Sequence, residues 1–175
     1  MESPADPALD AFFAATYQDL RRLARSRLRG GGRNTVLDTT ALVHESYLRL
    51  ARAPGAASFP DRARFLVYAG KAMRSIIIDL ARERQTDRRG NNAPHVTLTG
   101  VSDLVPLPGG EAHILRVHEA LEQMAAVDLR MARVVEMKYF GGLTELEIAE
   151  ALGVTDRTVR RDWEQARLFL ADALK

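Results

Sequence analysis

The chain has 175 residues, 46% of them hydrophobic, and 25 basic against 23 acidic residues give a net charge of +2. This is enough for one domain or two small ones, and too apolar for general disorder. No cysteine is present, which excludes disulfides and thiolate metal sites. No apolar run approaches the roughly 20 residues that span a membrane, and the acidic start MESPADPALD is unlike a signal peptide. A cytoplasmic protein with no membrane association is expected.

The small net charge hides segregation. Arg21, Arg22, Arg25, Arg27, Arg29 and Arg33 have no acid among them. Clustered cations of this kind suit a phosphate backbone. The cluster occupies the C-terminal half of a first helix predicted over 7–29, where Leu9, Phe12, Phe13, Tyr17, Leu20, Leu23 and Leu28 recur at near-helical spacing. Gly30-Gly31-Gly32 ends it.

A second helix is predicted over 38–53, with Asp38, Thr39 or Thr40 as its cap. Leu42, Val43, Tyr47, Leu48 and Leu50 would form its buried side. Thr39, Thr40, His44, Glu45 and Arg49 would lie nearer to water. Pro54-Gly55 breaks it. A long third helix follows over 62–84, with Phe65, Leu66, Ala69, Ala72, Met73, Ile76, Ile77 and Leu80 inward. Tyr68, Lys71, Arg74 and Ser75 point outward. An outward aromatic beside cations suits an unpaired base and its backbone, but equally a half-buried tyrosine on a basic surface.

Residues 90–110 hold prolines and glycines and no long amphipathic period, apart from a weak strand pattern at 95–101. They read as an extended linker between a front domain, 7–89, and a back domain, 111–175. No internal repeat is evident.

The back domain opens with a helix over 111–126, with Ile114, Leu115, Val117, Leu121 and Met124 inward. Asp128 caps the next, in which Met131, Val134, Val135, Met137 and Tyr139 alternate with Arg130, Arg133 and Lys138. Gly141-Gly142 then turns the chain into LTELEIAEALGVTDRTVRRDWEQARLFL. Thr144 and Glu147 have capping-box spacing. Leu146, Ile148, Ala149 and Leu152 give an apolar face, and Gly153 stops the helix. Thr155 caps another helix, with Val159, Trp163, Ala166 and Leu170 on one face and Arg157, Arg160, Arg161 and Arg167 on the other. This is the layout of a helix-turn-helix whose second helix enters the major groove. A plain helical hairpin accounts for the apolar face but not for four arginines opposite it.

No catalytic residues are assigned, and no metal or cofactor is expected. His44-Glu45 lacks the second histidine of a zinc-protease helix, since residue 48 is Leu48. The triple glycine lacks a following Lys-Ser or Lys-Thr. His44, His95, His113 and His118 are scattered.

Three segments in order resemble the extracytoplasmic-function (ECF) sigma factors of bacterial RNA polymerase. LVHESYLRLAR at 42–52 is similar to the core-polymerase-binding helix. ARFLVYAGKAMRSIIIDLARER at 63–84 is similar to the helix that melts and reads the minus-10 element. RVVEMKYFGGLTELEIAEALGVTDRTVRRDWEQAR at 133–167 is similar to the minus-35-reading domain. The resemblance implies an all-α fold of two small helical domains, sigma region 2 over 7–89 and sigma region 4 over 111–175. Its implied partners are promoter DNA and the clamp helices of the polymerase β′ subunit.

By the same resemblance, Arg157, Thr158, Arg160 and Arg161 match the recognition helix, and Arg133 and Lys138 match backbone-holding positions. Tyr68 matches the aromatic site of the strand-opening helix, with Lys71, Arg74 and Ser75 beside it. Leu42, Val43, Glu45, Leu48 and Arg49 match the polymerase-docking surface. No domain is expected beyond the recognition helix, and the sequence does not specify an anti-sigma factor.

One departure stands out. The family's acidic Asp-Ala-Glu-Asp motif is replaced by Asp38-Thr39-Thr40-Ala41. In this the chain resembles ECF groups associated with Ser/Thr kinases. The implied expectation is that a phosphate on Thr40 or Thr39 restores the missing charge. The alternative is that both threonines are plain caps. Two rival functions remain open on the sequence: a dimeric helix-turn-helix regulator, and a helical adaptor or kinase substrate with no DNA role.

Overall fold

The computed structural model describes residues 7–28, 35–52, 59–88 and 110–175. Among the described residues the protein is all-α, with no strand. The order is α1 (Pro7–Arg27), α2 (Thr35–Arg52), α3 (Arg62–Arg88), α4 (Glu111–Val127), α5 (Leu129–Val135), a π-helical segment (Glu136–Phe140), α6 (Glu145–Leu152) and α7 (Asp156–Ala173). The triple glycine, the Pro54-Gly55 break and the predicted linker up to residue 109, with its weak strand pattern, lie outside the described residues.

The first three helices bury the stripes that their spacing foretold. Leu9 and Leu20 of α1, Leu28 in the turn just after it, Leu42 and Val43 of α2, and Phe65, Met73, Ile76 and Leu80 of α3 are essentially inaccessible. Phe12 stacks on Phe65, and Phe59 meets both edge-on. Two expectations for α2 fail. It begins at Thr35, so Asp38, Thr39 and Thr40 lie inside the helix and do not cap it. Thr39 is 0% exposed and belongs to the buried side, while Leu48 is 42% exposed and does not. The helix starts earlier than its polar residues suggest, and Thr39 falls four residues before Val43 on its inner face.

In the back half, Asp128 serves two helices. Its N–H donates to the Met124 carbonyl at 2.8 Å, closing α4, and its carboxylate accepts from the Met131 N–H at 3.0 Å, opening α5. After α5 the helix widens. The Gly141 N–H reaches back five residues to the Glu136 carbonyl at 2.8 Å, the signature of a π turn. Tyr139, expected inward, is exposed, and Phe140 takes the buried place.

The two halves pack against each other. The main apolar cluster runs from α1, α2 and α3 into Val134, Leu143, Ile148, Ala149 and Val159. A second cluster, including Leu121, Met124, Met131, Val135, Phe140 and Ala166, fills the back half, and Trp163 packs on both. Gly70 sits where α3 crosses the π segment; a Cβ there would lie 1.9 Å from the Phe140 carbonyl oxygen. Only a residue without a side chain permits that approach.

Candidate nucleic-acid interface

The geometry of α6 and α7 follows from local chemistry. The Thr144 hydroxyl accepts from the Glu147 N–H at 3.3 Å, and the Glu147 carboxylate accepts from the Thr144 N–H at 2.8 Å. This is the reciprocal capping box its spacing foretold. Gly153 ends α6 with φ 65°, and the Val154 N–H bonds the Ala149 carbonyl at 3.0 Å. Thr155 opens α7 by accepting from the Thr158 N–H at 3.2 Å. Ile148, Ala149, Val159 and Ala166 are buried between the helices and the core. Leu146, expected on the apolar face, is exposed instead.

Arg157, Arg160, Arg161 and Arg167 are all exposed along α7. Arg160 is held by the Glu145 carboxylate at 2.7 Å and by Asp156 at 2.9 Å. Lys138 reaches the same Glu145 at 2.6 Å and lies 5.1 Å from the Trp163 ring centre. The Lys138 hydrogen bond, and then that of Arg160, hold the Glu145 carboxyl below its ordinary pKa. One carboxylate therefore gathers Lys138 and Arg160 beside Arg157, Thr158 and Arg161. Arg133 is exposed on α5, and no ion pair joins it to this group among the described residues.

The orientation of α7 depends on a pair that periodicity did not reveal. Asp162 is 1% exposed, within the apolar stripe of α7. It accepts from Arg130 of α5 through Nε at 2.6 Å and Nη2 at 3.3 Å. The signal was available: an acid one place before Trp163, on the face that also carries Val159 and Ala166.

On α3, Tyr68 is 56% exposed, its ring edge-on to Phe59 at 5.5 Å. The neighbouring cations face the back half. Lys71 pairs with Glu136 at 3.0 Å. The Arg74 side chain is only 14% exposed, although an outward position was expected. It bonds Nδ1 of His118 at 2.9 Å and pairs with Glu122 at 3.4 Å and Glu136 at 3.5 Å. The seam between halves covers it. Burial first, then the Arg74 charge, lowers the His118 pKa, so its ring is neutral near pH 7 and Nδ1 accepts. Arg62, at the start of α3, adds Asp19 at 2.5 Å and Glu147 of α6 at 3.5 Å.

The residues matched to polymerase docking divide. Leu42 and Val43 are core residues, Leu48 is open to solvent, and Glu45 is half-buried. Arg49 turns towards α3, donating to Ser75 at 2.7 Å and pairing with Asp79 at 2.9 Å. Ser75 and Arg49, assigned to different sites, thus belong to one network. Thr40 is half-buried one place beyond the enclosed Thr39.

No group of three or more His, Asp or Glu residues is arranged to hold a metal among the described residues. No helix there is long and apolar enough to cross a membrane. A family model for ECF sigma factors matches residues 3–175, and the chain belongs to that family. It is accordingly a transcription initiation factor, with RNA polymerase core and promoter DNA as its partners. No curated protein and no solved structure gives a match.

Proposed function

We propose that residues 7–89 act as sigma region 2, binding core polymerase and opening the minus-10 element. Residues 111–175 act as sigma region 4, a helix-turn-helix that reads the minus-35 element, and 90–110 is the connecting linker. The observation that carries this reading is the row of exposed Arg157, Arg160 and Arg161 on the first two turns of α7, beside the Thr155 cap. The first turns of a recognition helix are where base edges are met. Arg133 and Lys138 supply backbone contacts. The protein works in the cytoplasm, where its polymerase is.

Tyr68, Lys71, Arg74 and Ser75 serve the minus-10 strand after a rearrangement. Lys71 and Arg74 are engaged by Glu122 and Glu136 of the back half. Those ion pairs must part before DNA replaces them, so the closed arrangement is a resting form. Leu48 and Glu45 lead the docking surface on the β′ clamp helices, with Arg49, and with Leu42 and Val43 as the packed base beneath.

Phosphorylation by a Ser/Thr kinase supplies the charge missing at Asp38-Thr39-Thr40-Ala41, and Thr40 is its target ahead of Thr39. The support is accessibility: Thr39 is 0% exposed, and Thr40 is half-buried. Both lie in the second turn of α2, beyond strong influence of the helix dipole. The gain is therefore charge itself, about −1.5 to −2 with three acceptor oxygens.

Run-off transcription with core polymerase tests the whole reading. Thr40→Glu should raise transcription over wild type, Thr39→Glu should not, and Arg157→Ala with Arg161→Ala should abolish promoter selection. Equal output from the threonine variants would remove the kinase switch and leave the sigma assignment intact. Failure of every form to bind core polymerase would overturn the domain roles.

A further inference from the structure

Arg74 of α3 joins the front half to the back half. Its guanidinium meets His118 and Glu122 on α4 and Glu136 on the π segment. The Phe140 ring centre lies 5.3 Å from its central carbon. A guanidinium only donates, so at 2.9 Å the Nδ1 of His118 must accept. The bond therefore requires the neutral ring. Histidine is also the side chain whose ordinary range of protonation falls between about pH 5 and 8. One of the ties across the seam is thus made by a group that a modest fall in pH can charge.

The surroundings of the ring oppose a second proton. From α3 it faces Arg74 and Arg82. Glu119 and Glu122 on its own helix act the other way. Glu122 lies 3.8 Å from Nδ1, but its side chain is 65% exposed and is shared with Arg74. Glu136 is taken by Lys71 and Arg74. Arg27 of α1, Tyr139 and the exposed His113 line the same seam cavity, whose walls include Ile77 and Val117. Arg27 is 8% exposed, its central carbon 3.9 Å from the Tyr139 ring centre, and it adds another positive charge there. A proton on Nδ1 turns the acceptor into a donor aimed at a donor and sets two cations 2.9 Å apart. Burial and the Arg74 charge, the two main causes that lower the His118 pKa, depend on α3 lying against α4. Once the halves part, the ring returns towards its ordinary value of about 6.5.

We propose that His118 is a proton-operated latch: a proton at Nδ1 breaks its bond to Arg74, parts the two halves and uncovers Lys71 and Arg74. The sign follows from linkage. The open form takes up the proton more readily than the closed one. The closed arrangement is therefore fully favoured above pH about 6.5 and loses ground as pH falls through the closed-state value. Within that window the ratio of open to closed protein rises by up to about tenfold per pH unit, because one proton is bound. Below it the ratio levels off.

The inference rests on the reading of the closed arrangement as a resting form, and its test separates the two. The chain has no cysteine, so Ala51→Cys on α2 and Leu168→Cys on α7, both exposed, carry a fluorescent donor and acceptor without background labelling. Energy transfer in the full-length protein is followed from about pH 8 to about pH 5, with helicity recorded by circular dichroism. Transfer should fall below pH about 6.5 while helicity stays constant. His118→Gln, which is neutral throughout and can accept from Arg74 through its amide oxygen, should keep the high-pH transfer across the range. His113→Gln should respond as wild type does. Constant transfer in wild type, an equal fall in His118→Gln, or a fall that comes only with loss of helicity overturns the latch. Affinity for a single-stranded oligonucleotide at fixed salt is read on the same samples. A fall in transfer with flat affinity upholds the latch and overturns the strand-binding role given to Lys71 and Arg74.

Discussion

Gly70 and Phe140 meet backbone to backbone, a helix of the front half resting on a carbonyl of the back half. A side chain at Gly70 has no room, because the atom it would strike is main chain and has no rotamer to adopt. Gly70→Ala should therefore part the halves while leaving α3 itself intact, since alanine favours a helix interior over glycine by about 1 kcal/mol. The expected outcome is a larger radius of gyration in X-ray scattering and unchanged helicity. Affinity for single-stranded minus-10 DNA should rise as Lys71 and Arg74 are uncovered. A variant as compact as wild type would show that the seam adjusts around the methyl.

The pairing of Arg130 with the enclosed Asp162 fixes how α7 lies on α5. Asp162→Asn keeps the volume and removes the charge. It should lower the melting temperature by roughly 5 °C, a modest fraction of domain stability. It should also weaken minus-35 duplex binding, although Asp162 itself has no access to DNA. The double variant Asp162→Asn/Arg130→Gln should recover part of both losses, and a double-mutant cycle measures how much.

Two pH windows follow from the shifted groups. His118 has its pKa lowered from 6.5 by burial and by Arg74, with Arg82 adding to this and Glu122 and Glu119 opposing. The unfolded chain then binds the proton more readily, so stability is intact above pH about 6.5 and falls as pH drops through the folded value. Asp19 is lowered by its hydrogen bond to Arg62, with Arg22 assisting. Its contribution is present above the unfolded carboxylate value of about 3.9 and is lost as pH falls through the folded value. Denaturant midpoints measured across pH should show both slopes. His118→Gln should flatten the first and leave the second.

Glu145 holds Lys138 and Arg160, two cations that DNA phosphates would otherwise attract. Glu145→Gln should tighten duplex binding at low salt. The slope of log affinity against log salt should steepen by about 1 to 2 as each released cation meets a phosphate. An unchanged slope would mean that both cations already leave Glu145 when DNA binds.

Local chemistry made much of this legible in advance. The caps at Thr144, Asp128 and Thr155 and the stop at Gly153 depend on residues three or four apart, which a sequence displays directly. The long stripe of α3 was readable for the same reason. What escaped depends on distant segments. Thr39 is enclosed because α2 starts earlier than its polar residues suggest. Arg74 looks outward on a helical wheel until α4 and the π segment cover it. Tyr139 and Phe140 exchange places because a π turn shifts the phase of the helix, and nothing in EMKYF announces that widening. Arg27 gave no hint of its fate within a run of arginines.

The apolar cluster shared by the two halves sets a thermal condition on release. Separating them wets side chains such as Val134, Leu143 and Ile148 and carries a positive heat-capacity change. Apolar contact weakens on cooling, whereas the ion pairs of Lys71, Arg74 and Arg62 have no such dependence on hydrophobic hydration. The factor should therefore loosen in the cold and tighten towards ambient temperature, so that temperature itself sets how much of the protein stands ready for polymerase.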